Sequence, residues 1–125
     1  MHEHALLLVD SDPAHAGALR EALRADGLEI ATASSVGEAV TLLRAGGVEM
    51  VLADFSVDGV AERLAVEARG KGVTLFEIAD VFVGATNREI AIAAYGCADV
   101  FEKPVEADTL RPWIRRVIGT PARST

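Results

Sequence analysis

Five short apolar runs, each followed by a segment of helical spacing, limit what this chain can fold into. The third run is the clearest. Val48-Glu49-Met50-Val51-Leu52-Ala53-Asp54 is mostly apolar and stops at a carboxylate. Strands buried on both faces of a parallel sheet read as near-continuous apolar runs of this kind. In open α/β sheets ligands bind beyond the carboxyl ends of the strands. An Asp that closes such a strand is therefore placed for chemistry. Two other polar signals follow apolar runs in the same way: Asp10-Ser11-Asp12 after the first and Lys103-Pro104 after the fifth.

The pattern predicts strands at residues 5–9, 28–33, 48–54, 73–78 and 98–102, with helices between them. Asp12 is an N-cap and Pro13 the first helical residue. Ala16, Leu19, Arg20 and Leu23 follow at helical spacing, and Gly27 comes where a C-terminal glycine belongs. Ser35 and Glu38 have the form of a capping box, and Gly46-Gly47 ends the helix that follows. A third helix runs from the loop at 55–59 to about Arg69, broken by Gly70 and Gly72. A fourth spans 87–95, capped by Gly96, and a fifth spans 106–118. Pro112, inside the fifth, lacks a backbone donor, which predicts a bend or a late start. Residues 79–86 read as loop or strand extension.

Five βα units with right-handed crossovers make a doubly wound parallel sheet with helices on both faces. The expected order is the flavodoxin-like 2-1-3-4-5, whose switch point lies between the first and third strands. That crevice receives Asp10 and Asp54. The 125 residues suit one core. Residues 1–119 are expected to form one domain, and 120–125 a flexible tail or the start of a linker.

The formal net charge of −7 argues against binding to nucleic acid or an anionic membrane. The single cysteine, Cys97, allows no intrachain disulfide and fits a reducing compartment. No run approaches the length of a membrane span, and residues 1–9 lack the marks of a signal peptide, so a cytoplasmic location is expected. Cys97 lies among small residues and is read as packing rather than reactive. Tyr95 and Trp113 are read as packing aromatics. His2, His4 and His15 form no ligand set, and solvent exposure is expected for all of them.

Two carboxylates at adjacent strand ends repel each other unless a cation lies between them. Magnesium suits such a place, taking one or two carboxylates, a carbonyl and waters. An Asp carboxylate is also a nucleophile toward a phosphoryl group, and a lysine across the site would offset charge on that group.

Three segments carry a resemblance to the receiver domains of two-component response regulators: Leu6-Leu7-Leu8-Val9-Asp10-Ser11-Asp12-Pro13, Met50-Val51-Leu52-Ala53-Asp54, and Gly96-Cys97-Ala98-Asp99-Val100-Phe101-Glu102-Lys103-Pro104-Val105. The likeness runs from about Ala5 to Ile118. It implies that Asp54 accepts a phosphoryl group from a histidine kinase or phosphotransfer protein, that Lys103 contacts that group, and that the Lys103–Pro104 bond is cis. It also implies magnesium held by Asp10, Asp54 and the backbone carbonyl of Ser56. The usual partner or dimer face of such domains is the fourth helix, fifth strand and fifth helix, here made locally basic by Arg111, Arg115 and Arg116.

The departures from the family are specific. Its second acid after the first strand, a direct metal ligand, is Ser11 here, and a hydroxyl is a poor magnesium ligand. Asp12 stands one residue late and is read as a helix cap. The loop Phe55-Ser56-Val57-Asp58-Gly59 lacks the family's Met-Pro pair and is shorter. The switch hydroxyl that ends the fourth strand has no counterpart in Glu77-Ile78-Ala79, or in Asp80-Val81 were the strand longer. The switch aromatic falls on Val100. These features imply an atypical receiver, a protein-interaction module with weak metal binding and an impaired switch. The alternative is a conventional receiver phosphorylated on Asp54. A third reading takes Asp10-x-Asp12 as the motif of a small haloacid-dehalogenase-like phosphatase with Asp10 as nucleophile. Against it, Pro13 stands where glycine is usual, and no paired acids occur late in the chain. No enzymatic turnover is expected beyond the phosphorylation and dephosphorylation of Asp54 itself.

Overall fold

The computed structural model describes residues 5–79 and 85–119, with the backbone alone for 85–87. Asp80 and Val81, the rest of the segment to Gly84, the tail at 120–125, His2 and His4 lie outside the described residues. The elements alternate strictly: β1 Leu6–Val9, α1 Pro13–Arg24, β2 Ile30–Ala33, α2 Val36–Ala45, β3 Met50–Asp54, α3 Val60–Lys71, β4 Thr74–Ala79, α4 Ala85–Tyr95, β5 Asp99–Glu102 and α5 Ala107–Val117. All strand pairs are parallel, in the order β2-β1-β3-β4-β5. This is the expected doubly wound order, and it sets the ends of β1 and β3 side by side.

Alternation along the strands sorts the core into two layers. Leu7, Val9, Val51, Ala53 and Leu75 face Val40 and Leu43 of α2, Leu64 and Ala68 of α3, and Ala91 of α4. Leu6, Leu8, Met50, Leu52, Phe76 and Ile78 face Leu19 and Leu23 of α1 and Leu110 and Ile114 of α5. Both faces of the sheet are covered, which is why the central strands β1 and β3 read as near-continuous apolar runs. Trp113 packs edge-on against Phe76, and Tyr95 against Phe55, as expected of packing aromatics. Among the described residues no helix is long and apolar enough to cross a membrane.

Local chemistry explains most of the boundaries. The Asp12 side chain accepts hydrogen bonds from the N–H groups of Ala14 and His15, with Pro13 opening α1. Ser35 Oγ accepts from Glu38 N, while the Glu38 carboxylate reaches back to Ser34 N, one residue before the usual partner of a capping box. Three expectations need correction. Gly70 lies inside α3, which ends at Gly72, whose φ of +68° suits a glycine. An exposed glycine within a helix costs only about 1 kcal/mol, and the buried Ala65 and Ala68 hold that helix to the sheet. The fourth helix starts at Ala85, two residues earlier than its pattern suggested. The fifth starts at Ala107 and runs on through Pro112, so the proline does not delay it.

Candidate functional site

At the carboxyl edge of the sheet three elements deliver charged side chains to one place. Asp54 ends β3, and Asp10 follows β1, its backbone N–H donating to Ala33 O at 3.1 Å. Lys103 follows β5, and its N–H donates to Ala79 O at 2.8 Å, which carries the end of β5 alongside β4. Both carboxylates are nearly inaccessible: Asp54 is 3% exposed and Asp10 4%. The Lys103–Pro104 bond is cis, as the resemblance implied.

Lys103 Nζ lies 2.6 Å from Asp54 Oδ2 and 3.3 Å from Asp10 Oδ1. The remaining oxygens are also engaged. Asp54 Oδ1 accepts from Ser56 N at 2.9 Å and from Ser56 Oγ at 2.6 Å. Asp10 Oδ1 also accepts from Asp12 N at 3.0 Å. Asp10 Oδ2 lies 2.6 Å from His15 Nδ1. Every carboxylate oxygen of the pair therefore has a protein hydrogen-bond partner.

The electrostatics follow from these contacts. Burial by itself would raise the Asp54 carboxyl, but the hydrogen bonds from Lys103 and Ser56 outweigh it and hold it below the usual carboxylate range. Burial would lower the Lys103 ammonium, yet its bond to Asp54 and the charges of Asp10 and Asp54 carry it above the usual lysine value. Lys103 and Asp54 stay charged together. Cys97 stands apart from this: burial, aided by the charge of Glu77, pushes its thiol up to about 12, in keeping with a packing role.

The structure thus brings Asp10, Asp54, Ser56 and Lys103 together. Ser56 meets Asp54 through its N–H and hydroxyl. Ser11 is exposed, and the Asp12 carboxylate faces the start of α1. Glu77 and Val100 are register partners on neighbouring strands. Ile78 is the register partner of Asp54 and is buried in the layer facing α1 and α5, with no hydroxyl to offer. Arg111, counted as part of a basic face, is neutralised by Asp26, 2.8 Å away, and by Asp108. The exposed basic residues of α5 are therefore Arg115 and Arg116, the latter stacked over Trp113.

His15 contradicts the expectation of solvent exposure: its side chain is 13% exposed and wedged against Asp10. A signal for this was present. His15, Leu19 and Leu23 are spaced i, i+4, i+8, which puts the ring on the buried stripe of α1.

A magnesium ion is tested by this donor set. It has two carboxylates to offer, but each is already satisfied by protein donors, and Lys103 Nζ bridges the pair. The adjoining ligand position is a hydroxyl. Among the described residues no three metal-ligating side chains of His, Cys, Asp or Glu converge. The residues fit a lysine-neutralised crevice better than a divalent-cation site.

No family model and no curated protein matches this sequence. Solved structures do. A response regulator receiver domain protein from Methanospirillum hungatei superposes with a TM-score of 0.78 at 19% identity, covering 92% of this chain and 93% of that one. The receiver domain of a sensor histidine kinase from Pseudomonas aeruginosa, with magnesium coordinated in its active-site cleft, gives 0.76 at 19% identity over 94% and 99%. A receiver domain from Saccharomyces cerevisiae, crystallised with its histidine phosphotransfer protein, gives 0.77 at 18% identity over 92% and 88%. At these identities the likeness is one of fold, and the fold is that of response-regulator receiver domains.

Proposed function

We propose that this chain is a signalling receiver module of an atypical kind: a protein-interaction domain of a two-component or phosphorelay pathway, with weak metal binding and an impaired switch. One observation carries the reading. Lys103 already bridges Asp10 and Asp54, at 3.3 and 2.6 Å, and balances charge that a cation would otherwise balance. With Ser11 at the position of a direct metal ligand, magnesium is a weak ligand of the crevice. Ile78 supplies no hydroxyl and Val100 no ring, so the output does not use the family's switch.

Contact with other proteins is assigned to α4, β5 and α5. Ile92 on α4 and Arg115 and Arg116 on α5 are exposed there. An acidic protein partner or a second copy of the chain suits this surface. The domain's negative charge and modest basic content speak against nucleic acid and membranes as targets.

A specific observation favours the conventional alternative. Asp54 is held ionised with Lys103 on Oδ2, so a nucleophilic oxygen and a cation for the transferred group stand together. In that reading an Asp54 oxygen forms the P–O bond as the P–N bond of a phosphohistidine donor breaks. The kinase or phosphotransfer protein supplies that donor, and Lys103 offsets the charge on the phosphoryl oxygens.

Amide NMR spectra with magnesium, then with magnesium and beryllofluoride, test the assignment. The atypical module predicts little change at millimolar magnesium. Strong shifts centred on Asp10, Asp54, Ser56 and Lys103, spreading to α4 and α5, would replace it with the conventional reading.

A further inference from the structure

His15 has no part in the function proposed above, yet both of its ring nitrogens are used. The backbone N–H of Val105 donates to Nε2 at 3.0 Å. An imidazole nitrogen that accepts a hydrogen bond carries no proton, so the neutral ring holds its proton on Nδ1. Nδ1 then donates to Asp10 Oδ2 at 2.6 Å, a short bond of the kind formed to an ionised acceptor. A ring turned over would put carbon atoms at both contacts and lose both bonds. Tautomer and orientation are therefore set by the two partners together.

Those partners belong to different parts of the molecule. Asp10 follows β1. Val105 follows the Lys103–Pro104 bond and precedes Ala107, the first residue of α5, by two residues. Its side chain is buried with Phe101, Leu110 and Ile114 in the layer beneath α5. Lys103, two residues earlier, also touches Asp10. The segment from 103 to 105 is thus tied to one carboxylate twice, through an ammonium and through an imidazole.

We propose that His15 is a positioning residue, a strut from the Asp10 carboxylate to the Val105 backbone, through which a change of charge or occupancy at Asp10 reaches the start of α5. Such a path needs neither a hydroxyl at Ile78 nor a ring at Val100. It deepens the reading of the crevice, resting on it only for what changes at Asp10.

The test is a double-mutant cycle read by NMR on the whole chain. Asp10→Asn is expected to shift the Val105 amide resonance when His15 is present. In the His15→Leu background the same substitution leaves it much less affected, the residual passing through Lys103. Val105 amide exchange in His15→Leu is expected to be roughly tenfold faster, the scale of one lost hydrogen bond. His15→Gln, whose amide reaches the Nε2 position, restores that protection without restoring the response to Asp10→Asn. In the unmutated protein the ring nitrogens should report a protonated Nδ1 and an unprotonated Nε2. A protonated Nε2, or a Val105 response to Asp10→Asn that is the same with and without His15, overturns the proposal. Should His15→Leu fail to fold, the tautomer and His15→Asn, which keeps the Nδ1-like donor alone, decide it. No phosphoryl group or metal enters these measurements, so failure here leaves the proposed function standing, and the converse holds.

Discussion

The ammonium of Lys103 crosses the end of β4 to lie 2.6 Å from the Asp54 carboxylate. The two residues are 49 positions apart in the chain; the parallel sheet puts the ends of β3 and β5 at one edge, and the 2-1-3-4-5 order leaves a single strand between them. Asp10 completes the group at 3.3 Å from the same nitrogen. Two nearly buried carboxylates thus share one cation that belongs to the protein.

Removing that cation should be costly. Lys103→Met leaves two buried carboxylates facing each other with no cation between them. Losing one member of a buried ion pair costs about 3–5 kcal/mol, and a partly exposed lysine brings this nearer ~2 kcal/mol. Urea unfolding at neutral pH measures it. Adding Asp54→Asn to Lys103→Met should recover much of the loss, because the repulsion goes with the charge. A loss under about 0.5 kcal/mol, typical of an exposed pair, would mean that Lys103 does not neutralise the crevice.

The weak magnesium binding proposed for the crevice is traced to the serine after Asp10. Ser11→Asp adds a third carboxylate at the crevice edge, on a residue that is exposed and so tolerant of change. Magnesium affinity should rise about tenfold, since ligand charge sets the affinity of hard cations. Titration followed by amide shifts reads it. An affinity unchanged from the parent protein would show that Asp10 and Asp54 are not where a cation enters.

What could be read from the chain was local or periodic. Asp12-Pro13, Ser35 with Glu38, and the glycines at 46, 72 and 96 mark element ends through bonds made within a few residues. The apolar runs marked strands because both sheet faces are covered. Asp10, Asp54 and Lys103 were legible as a set because each follows a strand in a known order of strands. The burial of His15 was legible in its spacing with Leu19 and Leu23, but its acceptor role depends on Val105, 90 residues away, which a histidine alone does not show. Arg111 was misjudged for a similar reason: its partner Asp26 lies 85 positions earlier, in the turn after α1. Gly70 was overread, because a helix-breaking preference of about 1 kcal/mol yields to the packing of one good apolar face.

Asp12 separates a structural carboxylate from a chemical one. Its Oδ1 accepts from the N–H groups of Ala14 and His15, at 3.0 and 3.3 Å, and its side chain is otherwise exposed. Asp12→Ala should cost about 1 kcal/mol through the lost cap and leave magnesium affinity unaltered. Thermal unfolding and the same metal titration check both halves. A stable Asp12→Ala protein with altered metal affinity would move Asp12 into the crevice and revive the phosphatase-like reading of Asp10 and Asp12.

The pH dependence of stability has a definite sign at each end. Asp54 is held below its ordinary value in the folded chain, so unfolding takes up a proton over the interval between its folded value and about pH 4. Its contribution is complete above that interval and is lost as pH falls through the folded value. Lys103 is held above its ordinary value, so its contribution is complete below about pH 10 and is lost as pH rises through its own folded value. In Lys103→Met the buried Asp54 carboxyl loses its main compensating hydrogen bond and protonates at higher pH than in the parent, so the stability difference should be flat between about pH 7 and pH 9 and shrink beyond either limit. Urea midpoints across that range test it. A difference that persists unchanged at about pH 3, where a carboxylate of ordinary pKa is largely protonated, would mean that the Asp54–Lys103 pair does not govern the crevice. A difference that widens as the pH falls below about 5 would mean that another group, not the Asp54–Lys103 pair, governs the crevice.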